Sequence, residues 1–68
     1  MNTSIRNARD KMGLTQTQVA DMSNISERSY QNYEYGKRIP NAETAIRLAK
    51  VLNVTVDELF TEVHHNPM

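Results

Sequence analysis

The sequence contains no cysteine. That absence excludes a disulfide, a thiol nucleophile and a thiolate metal site, and it fits a reducing compartment. No apolar run approaches the roughly 18 residues that a membrane span requires. The opening stretch MNTSIRNARD has no apolar block of the kind a signal peptide carries. Charge of one sign is also missing, since 8 basic and 8 acidic residues cancel. A neutral chain is a poor indiscriminate binder of polyanions. With 68 residues the expectation is one soluble, cytoplasmic domain. A chain this short buries only about 60% of its unfolded surface, so its core is marginal unless a partner supports it.

Residue types for catalysis are equally sparse. The two histidines, His64 and His65, are neighbours in the terminal stretch HHNPM. Adjacent side chains point apart, so the pair is expected neither to hold a metal nor to catalyse. GLTQT and YEYGKR lack the glycine pattern of a phosphate-cradling loop. No enzyme activity, cofactor or metal is expected.

The chain does contain repeated helix punctuation, and strand-like alternation is absent. Ile5, Ala8 and Met12 draw one helical stripe that ends at Gly13. Thr15 with Gln18 forms a capping box, and Leu14 can staple to Val19. Ser26 caps a third helix, with Ile25 and Tyr30 as its staple and Gly36 as its stop. Asn41 caps a fourth, whose inward stripe reads Ala42, Ala45, Ala49 and Leu52 with Leu48 beside it. Thr55 with Glu58 opens a fifth, stapled by Val54 and Leu59. The spacing predicts an all-α fold with helices near 3–12, 16–23, 27–35, 42–52 and 56–62. The domain is expected to span 1–62, followed by a frayed tail at 63–68.

The link between the second and third helices is only SNIS. Two helices joined by so short a turn form helix-turn-helix geometry, at about 16–35. Asn24 stands where the turn needs a residue that accepts positive φ, and Ala20 lets the helices approach. Spacing alone leaves two readings open, a DNA-binding unit or a generic helical hairpin. Within SERSYQNYEYGKR, a step of about 100° per residue puts Tyr30 and Tyr33 on the face shared with Ser26. Arg28, Asn32 and Tyr35 point the other way, with Gln31 and Glu27 at the flanks. Residues 1–38 hold 6 basic and 4 acidic groups; residues 39–68 hold 2 and 4. The first half therefore suits a polyanion better than the second.

The stretch from Ile5 to Phe60 resembles the Cro-like, XRE-type helix-turn-helix repressors, which include the lambdoid phage repressors. The marks are the spacing from Arg9 to GLTQ, then QVADMSNIS, the exit YEYGKRIP and the closing LAKVLNVTVDELF. The resemblance implies a five-helix, lambda-repressor-like domain that binds a palindromic operator as a dimer. Asn24 and Asn53 replace the glycines most common in that family, and Glu27 is an unusual acid at the start of the recognition helix.

A recognition helix inserts its N-terminal part into the major groove, which nominates Glu27, Arg28, Gln31 and Asn32 as base contacts. Arg28 suits guanine, Gln31 or Asn32 suits adenine, and Glu27 can accept from cytosine. Phosphate contacts are expected from Gln16 and Thr17 at the start of the second helix, from Tyr35, and from Lys37, Arg38 and Asn41. In the resembling family the residue matching Gln16 contacts the DNA backbone and braces the recognition helix. Arg9 lies within the apolar stripe and needs a partner; in that family the matching Arg and Glu pair, which points to Glu34. Val56, Leu59, Phe60 and Val63 share one face of the last helix, expected to close the core and to offer a homodimer contact. The partner is expected to be double-stranded DNA. The alternative is a role in which another protein, such as a toxin, is the main partner.

Overall fold

The chain, as a computed structural model, is described for residues 3–60. It forms α1 (Thr3–Met12), α2 (Gln16–Met22), α3 (Glu27–Glu34), α4 (Ala42–Leu52) and α5 (Val56–Leu59), with no strand among the described residues.

Three of the four linkers follow one tripeptide rule: a residue at positive φ, an apolar residue, then a hydroxyl cap. They are Gly13-Leu14-Thr15, Asn24-Ile25-Ser26 and Asn53-Val54-Thr55, with φ of 69°, 59° and 59° at the first residue. In each, the apolar residue donates its N–H to the carbonyl five positions back: Leu14 to Arg9 at 3.3 Å, Ile25 to Ala20 at 3.0 Å, Val54 to Ala49 at 3.0 Å. The positive-φ residue donates three positions back, to Asp10, Asp21 and Lys50 respectively. These paired bonds are the Schellman closure of a helix end. The hydroxyl of the third residue then accepts one free N–H from the first turn of the next helix, that of Gln18, Ser29 or Glu58. Gln18 and Glu58 return the bond to the cap's own N–H. Each such cap is worth about 1 kcal/mol. One tripeptide thus ends one helix, starts another and turns an apolar side chain onto the core, where Leu14, Ile25 and Val54 all pack.

The fourth linker departs from the rule. Gly36, at φ 76°, closes α3 in the same way, but the residue after it is exposed Lys37. The linker then continues through Arg38, Ile39 and Pro40 before Asn41 caps α4 by accepting from the Thr44 N–H at 2.9 Å. A polar loop therefore emerges directly beyond the end of α3.

The core is drawn from every helix. Ile5, Val19, Tyr30, Leu48, Leu52 and Leu59 are its largest fully buried apolar side chains, each contributing about 1.5–3 kcal/mol by leaving water. α1 packs on α3, α4 and α5, while α2 lies mainly on α3 and also touches α4. Arg47 of α4 donates to the Ser23 carbonyl at 3.3 Å and pairs with Glu43 at 3.1 Å, tying α4 to the turn between α2 and α3.

Three expectations are corrected. Met12 is 44% exposed, because α1 ends there and Leu14, folded back by the Gly13 turn, packs on the core instead. Ala42 is exposed, since the first residue of α4 precedes the stretch that meets the other helices; the inward stripe begins at Thr44 and Ala45. The fifth helix stops at Leu59, and Phe60 has left helical geometry at φ −122° and ψ 28°. Val63, His64, His65 and the tail at 63–68 lie outside the described residues.

Candidate nucleic-acid interface

α3 is divided lengthwise by its packing. Tyr30 is fully buried and Tyr33 packs partly against the core, which anchors one face. Glu27 and Arg28 are exposed, and Gln31 and Asn32 are half-buried. Ser26 holds the start of the helix by accepting from the Ser29 N–H at 3.0 Å. The four base-contact candidates therefore lie on the two turns of α3 that follow this cap.

Behind them sits a polar cluster centred on Glu34, which is only 2% exposed. Arg9 donates to its carboxylate through Nε, at 2.8 Å from Oε1. The Tyr30 hydroxyl donates to the same oxygen at 2.7 Å, and Gln16 Nε2 donates to Oε2 at 2.7 Å. Arg9 also donates to the Leu14 carbonyl at 3.0 Å. Burial alone would raise the Glu34 pKa; the hydrogen bonds from Arg9, Tyr30 and Gln16 outweigh it, and the carboxyl lies below its ordinary range. The hydrogen bond to Glu34 also holds the Arg9 guanidinium above its usual value against the effect of burial. Burial, then the hydrogen bond to Glu34, pushes the Tyr30 phenol upward. All three groups thus keep their expected charge at neutral pH.

Gln16 carries this cluster outward. Its Nε2 donates to the Tyr35 hydroxyl at 3.3 Å as well as to Glu34, while its Oε1 accepts from Gln31 Nε2 at 3.3 Å. Gln31 Nε2 also donates to Glu27 Oε2 at 3.4 Å. A continuous chain of hydrogen bonds therefore runs from Arg9 on α1 to Glu27 at the start of α3. It sets the rotamers of two base-contact candidates from inside the fold.

The phosphate candidates are arranged around α3. Gln16 opens α2, next to exposed Thr17, and Tyr35 follows α3 at 41% exposure. Lys37 and Arg38 are exposed, yet their backbone is fixed: both N–H groups donate to the Asn32 carbonyl, at 2.8 and 3.3 Å. The basic loop therefore moves with the helix it follows. Asn41 is exposed, but its side-chain oxygen is engaged in capping α4.

Of the apolar face expected on α5, Val56, Leu59 and Phe60 lie among the described residues and Val63 does not. Leu59 is 1% and Phe60 4% exposed, so both side chains belong to the chain's own core, and Val56 is only partly exposed. With so few helices to fill one core, α5 contributes its bulky residues to closure.

Residue reasoning missed two features. Arg6 shares with Arg9, Gln16, Glu34 and Tyr35 a recess of about 240 Å³; its i, i+3 spacing from Arg9 was the available signal. Arg47 acts as a strut to the Ser23 carbonyl, a contact across 24 positions that no local pattern announces.

No helix among the described residues is long and apolar enough to cross a membrane. A helix-turn-helix family profile matches residues 5–59. The cryptic phage CTXphi transcriptional repressor RstR of Vibrio cholerae serotype O1 is 38% identical over 55 residues, covering 81% of this chain and 49% of that protein. The HTH-type transcriptional regulator ImmR of Bacillus subtilis is 36% identical over 56 residues, covering 82% and 44%. The HTH-type transcriptional activator BcrR of Enterococcus faecalis is 33% identical over 60 residues, covering 88% and 29%. The chain spans about half the length, or less, of these relatives. No solved structure matches it significantly. With five helices in place and the profile covering nearly all of them, the chain belongs to the helix-turn-helix family of the Cro-like, XRE type.

Proposed function

We propose that the chain is a sequence-specific reader of double-stranded DNA that regulates transcription, as a repressor binding a palindromic operator through the major groove. The observation that carries this reading is the division of α3. One face is anchored by Tyr30 and Glu34, while the first two turns carry exposed Glu27 and Arg28 and half-buried Gln31 and Asn32. Arg28 has the donors for guanine O6 and N7, and Asn32 has the donor and acceptor for adenine. Gln16, Thr17, Tyr35, Lys37, Arg38 and Asn41 surround that edge and suit phosphate oxygens, which position the helix without carrying sequence. RstR, described as a repressor, supports the direction of regulation.

A palindrome calls for two copies related by a two-fold axis, with recognition helices about 34–36 Å apart. With Leu59 and Phe60 inside the core, the described part of α5 offers only Val56 to a second copy. Pairing is therefore proposed to occur on the operator.

The deciding experiment is selection of bound sites from random duplex DNA. An inverted repeat with a defined half-site and spacing is the expected product. Recovery of no preferred sequence at any salt concentration would remove the reading. It would favour the second one, a protein-binding role, which rests on the exposure of Ile39 (67%) and Ile46 (49%) beside the basic loop and on α4.

A further inference from the structure

We infer that Arg6 is an additional seat for a DNA phosphodiester, extending the phosphate contacts from α2 and α3 onto α1. The inference rests on the DNA-reading role proposed above. The recess of about 240 Å³ is lined by Arg6, Arg9, Gln16, Glu34 and Tyr35. Two of these, Gln16 and Tyr35, already flank the recognition helix and are joined to each other at 3.3 Å. The carboxylate in the recess does not repel an anion from its rim as a free acid would. Both of its oxygens are engaged by Arg9, Tyr30 and Gln16, and Arg9 neutralises its charge. Arg6 is exposed, and its guanidinium forms no hydrogen bond or ion pair among the described residues. The charged residues lining the recess, Arg6, Arg9 and Glu34, sum to one net positive charge; Asp10, 3.7 Å from Arg9, lies outside the lining, and the Tyr35 hydroxyl stands beside Arg6 in it. Gln16 spends both amide hydrogens on Glu34 and Tyr35, whereas the Tyr35 hydroxyl only accepts there and keeps its own hydrogen; a cation and a hydroxyl donor suit the oxygens of a singly charged phosphodiester. The position, next to the start of α2 and the end of α3, is where the strand flanking the groove would pass.

The test is a salt titration of binding to the selected duplex and to an unrelated duplex. Arg6→Ala, Arg6→Lys and Lys11→Ala are compared with the wild type. Lys11 is the control, because it is an exposed cation on the same helix that does not line the recess. One lost phosphate contact lowers the slope of log affinity against log salt by about 0.9 and weakens binding about eightfold at 0.1 M salt. Arg6→Ala should show both changes, equally on the two duplexes. Arg6→Lys should keep most of the slope, and Lys11→Ala should match the wild type. Far-UV circular dichroism of each variant should be unchanged, since Arg6 is exposed. Arg6→Ala with a wild-type slope would overturn the inference while leaving the DNA reading intact. So would a loss as large for Lys11→Ala, which would mark a general field effect. A wild-type chain that binds neither duplex would remove both.

Discussion

Glu27 is the residue whose role the structure sharpens most. Both hydrogens of Gln31 Nε2 are directed inward along the chain, to Gln16 Oε1 and Glu27 Oε2. What Glu27 and Gln31 leave for a partner is their other oxygens, which only accept. Such an edge favours an amino group in the major groove, cytosine N4 or adenine N6, and opposes guanine O6 and N7. Glu27→Gln adds donors at that point. Site selection with the variant should lose the preference at one half-site position, by about 1–3 kcal/mol of discrimination, with the other positions unchanged. An identical selected site would show that Glu27 reads nothing. Ser23 makes a different case. It is fully buried in the α2–α3 turn, and its hydroxyl has no hydrogen-bond partner among the described residues. An unsatisfied buried hydroxyl costs about 1–3 kcal/mol. Ser23→Ala is expected to raise the melting temperature by several degrees, about 4–8 °C per kcal/mol in a domain this small; a lower melting temperature would mean the hydroxyl has a partner.

At the scale of elements, the repeated tripeptide explains why such short helices have definite ends. A helix of 7 residues, like α2, is marginal by itself. Its linkers meet several of its end groups: Thr15 accepts from the Gln18 and Val19 N–H groups, and Ser23, Asn24 and Ile25 donate to the carbonyls of Val19, Asp21 and Ala20. Asn24 and Asn53 adopt the left-handed backbone at φ 59°, which asparagine tolerates better than most residues and glycine better still. Asn24→Gly should therefore leave stability unchanged or slightly raised, whereas Asn24→Ala should cost about 1 kcal/mol. Denaturant midpoints of the pair check this, and a large loss with glycine would mean the asparagine side chain has a role beyond its backbone. Where the tripeptide rule is broken, after α3, the apolar corner residue is replaced by Lys37. The structural rule lapses where the proposed phosphate grip begins.

For the whole molecule, the Glu34 cluster joins α1, α2 and α3 into one body. A domain of this size has roughly 3–10 kcal/mol of total stability. Breaking a buried pair by removing one partner costs about 3–5 kcal/mol, so Glu34→Ala should unfold a large fraction of the protein at 37 °C. Calorimetry measures this directly. The pH dependence has a definite sign. Glu34 is held below its ordinary value of 4.5, so its contribution is complete above that value and declines as pH falls through the lower folded-state value. Glu34→Gln should flatten that acid limb of the stability curve. In quaternary terms, burial of Leu59 and Phe60 predicts a monomer free in solution and two chains on each operator. Sedimentation with and without the selected duplex distinguishes this from a preformed dimer, which would require another apolar face.

The helix positions and their caps were determined by the sequence alone, because their hydrogen bonds join residues three to five positions apart. A capping hydroxyl or a left-handed asparagine acts on its immediate neighbours wherever the helix finally packs. The same holds for the inward placement of Tyr30, which follows from helical period. The tertiary structure decided what depends on distant partners. Arg9 meets Glu34 across 25 positions, and Gln16 meets Gln31 across 15. Only packing brings these groups together, and only packing shows that Gln16 links the buried carboxylate to the reading edge. Packing also settled the fate of Leu59 and Phe60. A periodic stripe shows that one face of a helix is apolar, but whether its own chain or another covers that face depends on how much core the remaining helices leave unfilled.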